Sequence, residues 1–150
     1  LLEALINIEG RVELNLKAMW LDMPKIFQKL VQENPEISRI KQTMGGRTLG
    51  RDEAIEVGKA VATAVESRRE KIKGEIFDQL KGIAVDHKET QLLGDQMIFN
   101  LAFLIPEKKQ KTFDKIVRNL DEQYVQESAY FKYIGPIPPF NFVKVPISLT

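Results

Sequence analysis

The side chains able to perform acid–base or metal chemistry are few in this sequence. His87 is the only histidine and cysteine is absent, which excludes a multi-histidine metal centre, a thiolate metal site and a cysteine nucleophile. His87 lies between Asp86 and Lys88 on a short polar segment, and the sequence supplies no evident partners for a Ser-His-Asp arrangement. We therefore interpret His87 as a surface histidine.

The acidic residues are scattered among basic ones on predicted helix faces. Glu66 with Glu70, and Asp114 with Arg118, are one helical turn apart, which is typical of solvated helix surface. An enzyme would require a pocket that holds carboxylates with perturbed pKa values, and no two carboxylates fall together on predicted strand ends or loops. The sequence therefore predicts no catalytic residue, no metal site and no cofactor.

Three further segments resemble ligand-binding motifs only in part. The glycines of 44–53 (MGGRTLGRDE) precede a helix but lack Gly-Lys-Ser/Thr, so we interpret residues 45–50 as an interhelix linker. The lysines of 108–111 form a basic run that is either a solvated turn or a contact for an acidic partner. Phe99 and Phe103 lie on a predicted central strand, where core packing is favoured over stacking of RNA bases.

Composition is that of an ordinary globular domain. The 150 residues include 22 basic and 21 acidic side chains, and this balance argues against nucleic acid as a partner. No apolar run approaches the ~20 residues that a membrane helix needs, so no membrane contact is expected. The absence of cysteine agrees with a cytoplasmic location. The chain does not begin with methionine, from which we expect that a segment precedes it.

Hydrophobic periodicity predicts an α+β fold. Residues 12–20 alternate between apolar and polar side chains, whereas 96–105 are nearly all apolar, and both patterns suit central strands. A polar strand at 84–90 suits a sheet edge, and an aromatic-rich strand is expected at 128–134. Helical spacing predicts helices over 1–9, 24–33, 35–44, 52–81 and from Pro106 to Tyr124.

The resulting β-α-β-β-α-β order is that of the ferredoxin-like sheet, with helices inserted in the first crossover and a Pro-rich C-terminal tail. In that arrangement the first and third strands lie at the centre of the sheet. The tail after residue 134 carries one charge, Lys144, among many apolar residues and four prolines, which exclude regular structure. Such a tail either folds back over its own sheet or a neighbouring domain, or docks on an apolar partner.

Four segments together resemble the gas vesicle synthesis protein family GvpF/GvpL. They are GRVELNLKAMW (10–20), VATAVESRREK (61–71), LLGDQMIFNLAFLIP (92–106) and YFKYIGPIPPFNFV (130–143). The last is the most specific, because an aromatic strand is followed by a Gly-Pro-x-Pro-Pro-aromatic-x-Phe turn. The similarity covers essentially the whole chain and corresponds to the C-terminal two-thirds of such a protein.

The resemblance implies a non-enzymatic accessory or minor structural protein of gas vesicles, located at the vesicle in the cytoplasm. Its partners would be the hydrophobic shell protein, whose nucleation and assembly it would assist and whose aggregation it would limit, and further accessory proteins. The residues that match the family motif, and that we expect to bind a partner, are Gly135, Pro136, Pro138, Pro139, Phe140 and Phe142. A rigid turn that only locks the domain together is the structural alternative.

The resemblance also implies a division of the chain. Residues 1–20 would be the end of a preceding ferredoxin-like domain, and residues 21–150 a C-terminal α+β domain with its tail at 135–150. The alternative function is a ferredoxin-like module that binds a small regulatory ligand.

Overall fold

The computed structural model describes residues 8–44 and 48–143. Within these ranges the chain forms four strands and four helices. They are β1 Arg11–Trp20, α1 Met23–Glu33, α2 Pro35–Met44, α3 Arg51–Leu80, β2 Asp86–Glu89, β3 Met97–Pro106, α4 Gln110–Gln123 and β4 Ala129–Ile137. Short 3-10 turns at Glu107–Lys109 and Val125–Glu127 flank α4.

The four strands form one antiparallel sheet in the order β2-β3-β1-β4. The predicted α+β class is confirmed, and so is the central position of the first and third strands. In the register, Leu14 of β1 lies opposite Phe103 of β3, and Leu16 lies opposite Tyr133 of β4. The polar strand β2 lies at an edge as predicted, although it is shorter than the expected range 84–90.

The expected domain boundary at residue 20 is wrong with respect to β1. This strand is hydrogen bonded along both sides. Its last residue, Trp20, donates its N–H to the Gln96 carbonyl at 2.8 Å, and the next residue, Leu21, donates its N–H to the Ser128 carbonyl at 3.0 Å. A strand at the centre of the sheet shares its core with the elements that follow it. The helix expected at 1–9 lies, up to residue 7, outside the described residues.

The helices cover one face of the sheet and enclose an apolar core there. Alternate residues of β1, from Leu14 to Trp20, and the aromatic rings of β3 point into it. Phe99 and Phe103 are 1% and 0% exposed, which confirms their expected place in the core. The Phe103 and Phe113 rings meet edge to face with centroids 5.2 Å apart, a favourable aromatic geometry.

The starts of α1 and α2 follow from their capping residues. Asp22 Oδ1 accepts from Lys25 N–H at 3.1 Å, and Asn34 Oδ1 accepts from Glu36 and Ile37 N–H at 3.0 and 3.3 Å. These bonds satisfy amide groups that the first helical turn leaves without partners.

Helix α3 is continuous through Gly58 and Gly74, and its 30 residues span about 45 Å. A ten-residue strand reaches only ~33 Å, so the helix is longer than the sheet that it covers. Its C-terminal part buries Ile72, Ile76 and Leu80 in the core. Its N-terminal part contacts α1 and α2.

Candidate functional site

The strand β4 continues into the segment where proline was expected to exclude regular structure. It includes Gly135 and Pro136, joined by a cis peptide bond, and ends at Ile137. The sequence-based expectation is wrong here because β4 is an edge strand, where a residue without an N–H is tolerated. The pairing with β1 shifts between Asn15 and Glu13, which adds one residue to β4 as a bulge.

Gly135 is fixed by both its backbone conformation and its surroundings. Its φ is +138°, a region that side chains rarely adopt. A Cβ at this position would lie 2.6 Å from Leu14 Cδ2 and 2.8 Å from the Glu13 carbonyl oxygen. Glycine is therefore required for β4 to approach β1 at the bulge.

The turn that follows is held by a buried carboxylate on β1. Glu13 is 0% exposed. Its Oε1 accepts from the backbone N–H of Asn141 at 2.9 Å, and its Oε2 accepts from Asn141 Nδ2 at 2.5 Å. Two hydrogen bonds to one residue fix both the position and the orientation of the turn, and charge-assisted bonds of this kind are the stronger class. We refer to Glu13 and Asn141 as the tail clamp.

Sequence reasoning missed the tail clamp, because the alternation of residues 12–20 shows only that Glu13 faces away from the apolar side chains of the strand. A weak signal was present, since a carboxylate on a strand predicted to be central needs a partner if a segment covers that face. The sequence alone does not say which of the many downstream donors supplies it.

The tail segment 138–143 crosses the sheet face that the helices leave uncovered. Asn141 lies over Glu13 on β1, and the Phe142 ring lies 5.7 Å from Lys88 Nζ on β2. Between these points, Ala102 and Leu104 of β3 are 1% and 4% exposed. Of the two interpretations of the tail, folding over its own sheet therefore holds for these residues, while 144–150 lie outside the described part.

Large apolar side chains nevertheless remain in water on this side of the molecule. Phe140 is 72% exposed, and Tyr130 and Ile134, which alternate along β4 on the face away from the helices, are 45% and 39% exposed. We call these three residues the open-face apolar surface. Phe131 and Tyr133, the intervening residues, pack on the core instead.

The motif residues expected to bind a partner thus differ in their surroundings. Pro139 is buried, Phe142 is half-buried, and Gly135 has the structural role described above. Pro136 and Pro138 are exposed together with Phe140. The structure brings the motif together as one ordered turn and leaves Phe140 as its largest accessible side chain.

The titratable residues considered first have structural partners. The His87 ring contacts the Phe77 ring with centroids 4.5 Å apart. Glu66 pairs with Arg69 at 2.5 Å and Glu70 with Lys73 at 3.1 Å. No cluster of three or more potential metal ligands occurs in the described ranges.

Two phenols connect helices to other elements through carboxylates. The Tyr133 hydroxyl donates to Asp114 Oδ1 at 2.6 Å, and the Tyr124 hydroxyl donates to Glu75 Oε2 at 2.9 Å. Burial raises the pKa of each phenol well above its ordinary value, and the neighbouring carboxylate raises it further. Both groups are therefore neutral hydrogen-bond donors that tie the fold together.

A groove of about 600 Å³ lies between the α1–α2 junction and α3. Arg68 on its wall is already paired, with Glu33 and, at 3.1 Å, with Glu127. Within the part of the chain described, no helix has both the length and the hydropathy needed to cross a membrane.

Comparison with known sequences places this fold among gas vesicle proteins. A family model described as gas vesicle synthesis protein GvpL/GvpF matches residues 1–144. Gas vesicle protein F of Nostoc sp. is 28% identical over 139 residues, which cover 93% of this chain and 56% of that protein. Gas vesicle protein F1 of Halobacterium salinarum is 32% identical over 79 residues, 53% of this chain and 36% of that protein. The chain therefore spans little more than half the length of the Nostoc protein.

Solved structures give the same result for the fold. The crystal structure of GvpF from Anabaena sp. PCC7120 superposes with a TM-score of 0.87 at 27% identity, covering 97% of this chain and 59% of that one. GvpF from Microcystis aeruginosa superposes with a TM-score of 0.79 at 27% identity and the same coverage.

Proposed function

Because the chain belongs to the gas vesicle synthesis protein GvpL/GvpF family, we propose that it binds the hydrophobic gas vesicle shell protein, assists nucleation and assembly of the vesicle, and limits aggregation of the shell protein. The family is one of gas vesicle proteins rather than a recognised enzyme family. In this proposal the protein works by covering apolar surface at the vesicle in the cytoplasm, alone or with other accessory proteins, and catalyses no reaction.

The observation that carries the proposal is the exposure of Phe140 on a turn that is otherwise firmly held. The tail clamp and Gly135 fix the backbone on either side of this residue, yet 72% of Phe140 remains in water. Burying a phenylalanine side chain contributes about 1.5–3 kcal/mol. A rigid turn loses little conformational entropy when a partner binds, so most of that free energy is available for association.

The motif residues have different roles in this proposal. Phe140 inserts into the apolar surface of the shell protein, with the exposed Pro138 beside it and Tyr130 and Ile134 on the adjoining strand. Gly135 and Pro139 shape the turn. Pro136 and Phe142 complete it, with Phe142 held against Lys88.

Co-expression with the shell protein tests the proposal. The protein in its complete natural form should keep the shell protein in solution and retain it in a pull-down. Equal aggregation of the shell protein with and without its proposed partner would contradict this function.

A matched pair of variants distinguishes specific binding through Phe140 from nonspecific hydrophobic association. Phe140→Ser should reduce the retained shell protein, whereas Leu93→Ser should not, although Leu93 is 73% exposed and lies in the connection between β2 and β3. Equal losses in the two variants would contradict a specific role for Phe140.

A saturable rise in melting temperature with one compound of a metabolite panel would instead favour the small-ligand module.

A further inference from the structure

The two edges of the sheet are protected to different degrees. The edge strand β2 has only the four residues DHKE, all exposed and all but one formally charged at neutral pH. The opposite edge strand, β4, has nine residues, and the stretch before Gly135 contains Lys132 as its only charge. Short, charged edges discourage strand addition, and long apolar ones permit it. Only β4 has the features of an edge that can receive another strand.

The backbone of β4 offers hydrogen-bonding groups at this edge. Leu21 N–H donates to the Ser128 carbonyl, so the backbone groups of Ser128 point towards β1. In an antiparallel pair every second residue does the same, and the backbone groups of Tyr130, Lys132 and Ile134 therefore also point towards β1. Phe131 and Tyr133 then direct theirs away from the sheet. No backbone group in the described ranges bonds to them from that side.

The charge next to this edge is uncompensated. Lys132 lies directly opposite Lys17 on the face away from the helices, and like charges in that position repel each other. No ion pair joins either lysine to a carboxylate among the residues that the structure describes. A carboxylate delivered beside Lys132 would relieve this repulsion.

We propose that β4 receives an extended segment of the shell protein as a fifth strand, and that this segment carries an Asp or Glu opposite Lys132 with apolar residues two positions before and after it. The inference rests on the proposed function and specifies the contact that it would use. The apolar residues would face Tyr130 and Ile134, which flank Lys132 on the same face. Backbone bonds to Phe131 and Tyr133 supply affinity, and the alternating side chains supply specificity.

Charge disfavours a second copy of this chain as the occupant. If the β4 strands of two copies paired antiparallel over most of residues 129–135, the pairing would be centred on Lys132. Lys132 of one copy would then lie directly opposite Lys132 of the other. With Lys17 adjacent in both copies, that pairing would gather four positive charges. An acidic and apolar partner segment has no such cost.

Charge variants test the ion pair. Relative to the parent protein, Lys132→Glu should weaken retention of the co-expressed shell protein roughly tenfold, because an attraction becomes a repulsion. Lys132→Met keeps the apolar stem and should weaken it less. Lys115→Glu, on the exposed surface of α4, should leave it unchanged. Retention by the parent should also fall as salt rises.

Proline variants test the edge itself. Tyr133→Pro removes an N–H that points away from β1, so the native ladder keeps its bonds while the outer edge loses a donor. Tyr133→Ala loses the same ring and keeps the N–H. Retention should therefore be lower for the proline variant than for the alanine variant at equal folded fraction.

The outcomes separate this inference from the function on which it rests. Unchanged retention in both Lys132→Glu and Tyr133→Pro would overturn strand addition and leave shell-protein binding standing. No retention by the parent would overturn both. A dimer of the protein alone that Tyr133→Pro dissociates, seen by light scattering, would assign the edge to a second copy and overturn the inference.

Discussion

The two faces of the sheet are closed by different means. On the helix-covered face the largest buried side chains are Trp20, Phe99, Phe103 and Phe113, and apolar area closes it. The opposite face is covered by a single crossing segment, which the fully buried carboxylate of Glu13 holds in place. The first kind of closure depends on volume. Closure of the opposite face depends on the identity of the two tail-clamp residues, and it leaves the open-face apolar surface exposed to water.

The difference bears on where binding surface can exist in a small α+β domain. Covering a sheet with helices leaves nothing of that face for a partner. A segment that is held by a few directed bonds can cover part of a face and present a residue such as Phe140 from a fixed backbone. Changes on the helix face should therefore reduce stability, whereas changes on the open face should separate stability from binding.

The largest effect is expected in the helix-face core. Phe113→Ala removes a fully buried ring that contacts Phe103 and Tyr133, and it should lower the free energy of unfolding by about 3–5 kcal/mol. Phe113→Leu should cost less than half as much, since most of the volume stays. Urea denaturation measures both, and a loss below ~1 kcal/mol for the alanine variant would show that this face is not closed by packing.

The tail clamp comes next. Glu13→Ala leaves the Asn141 amide groups without their acceptor and should cost about 1–3 kcal/mol, with faster proteolysis of the segment after Pro138. Glu13→Gln retains an acceptor and should cost less. The half-buried neighbour Lys17, changed to Gln, is the control and should have a small effect. Equal proteolysis of Glu13→Ala and the parent would contradict a clamp.

Substitution of Gly135 at the bulge separates the stability cost of backbone strain from that of steric crowding. Gly135→Ala should cost about 1–3 kcal/mol, because positive φ and a close approach to Leu14 act together. Gly94→Ala shares the positive φ, at +96°, but no atom lies within 4 Å of the added Cβ, so its cost should be smaller. Similar losses of stability for the two alanine variants, measured by thermal unfolding, would show that crowding against Leu14 does not contribute to the cost.

Alkaline pH tests the phenol that joins the two structural layers. The pKa of Tyr133 is raised in the folded state, so above pH ~10 the folded protein binds more protons than the unfolded chain and stability falls with pH. The stability contributed by this group is complete below the unfolded pKa. Tyr133→Phe should cost about 1 kcal/mol at neutral pH and make the decline above pH ~10 shallower. An unchanged alkaline slope would contradict a retained proton on Tyr133.

The smallest effect on stability belongs to the open-face apolar surface. Phe140→Ser should change the free energy of unfolding by no more than ~0.5 kcal/mol, because the side chain is 72% exposed. The same variant is expected to reduce shell-protein retention. A large stability loss would mean that Phe140 supports the fold and would weaken its assignment as a contact residue.

Sequence periodicity predicted the fold well because it reports burial directly. The alternation of β1 and the apolar run of β3 place both strands at the centre of the sheet, where the structure has them. The polar residues of β2 likewise predict an edge. The boundary at residue 20 was wrong because strand pairing is not local, and a central strand can pair with segments eighty or more residues away.

The candidate site was harder to predict for two physical reasons. The rule that proline ends regular structure applies to strands with partners on both sides, and the free side of β4 is visible only in three dimensions. Glu13, Asn15 and Lys17 occupy equivalent alternate positions along β1. Only the hydrogen bonds from the crossing tail distinguish Glu13 from the other two. The resemblance identified the turn, but not that Gly135 and Pro139 support it while Phe140 faces water.

The length of α3 has a consequence for internal motion. Its C-terminal half is buried against the sheet, whereas none of its residues before Val65 is buried. Amide hydrogens near Ile76 should therefore exchange only when the whole domain unfolds. Those near Asp52 should exchange through local fraying that leaves the sheet intact. A single helix would then report both global and local opening, with the crossover near Val65.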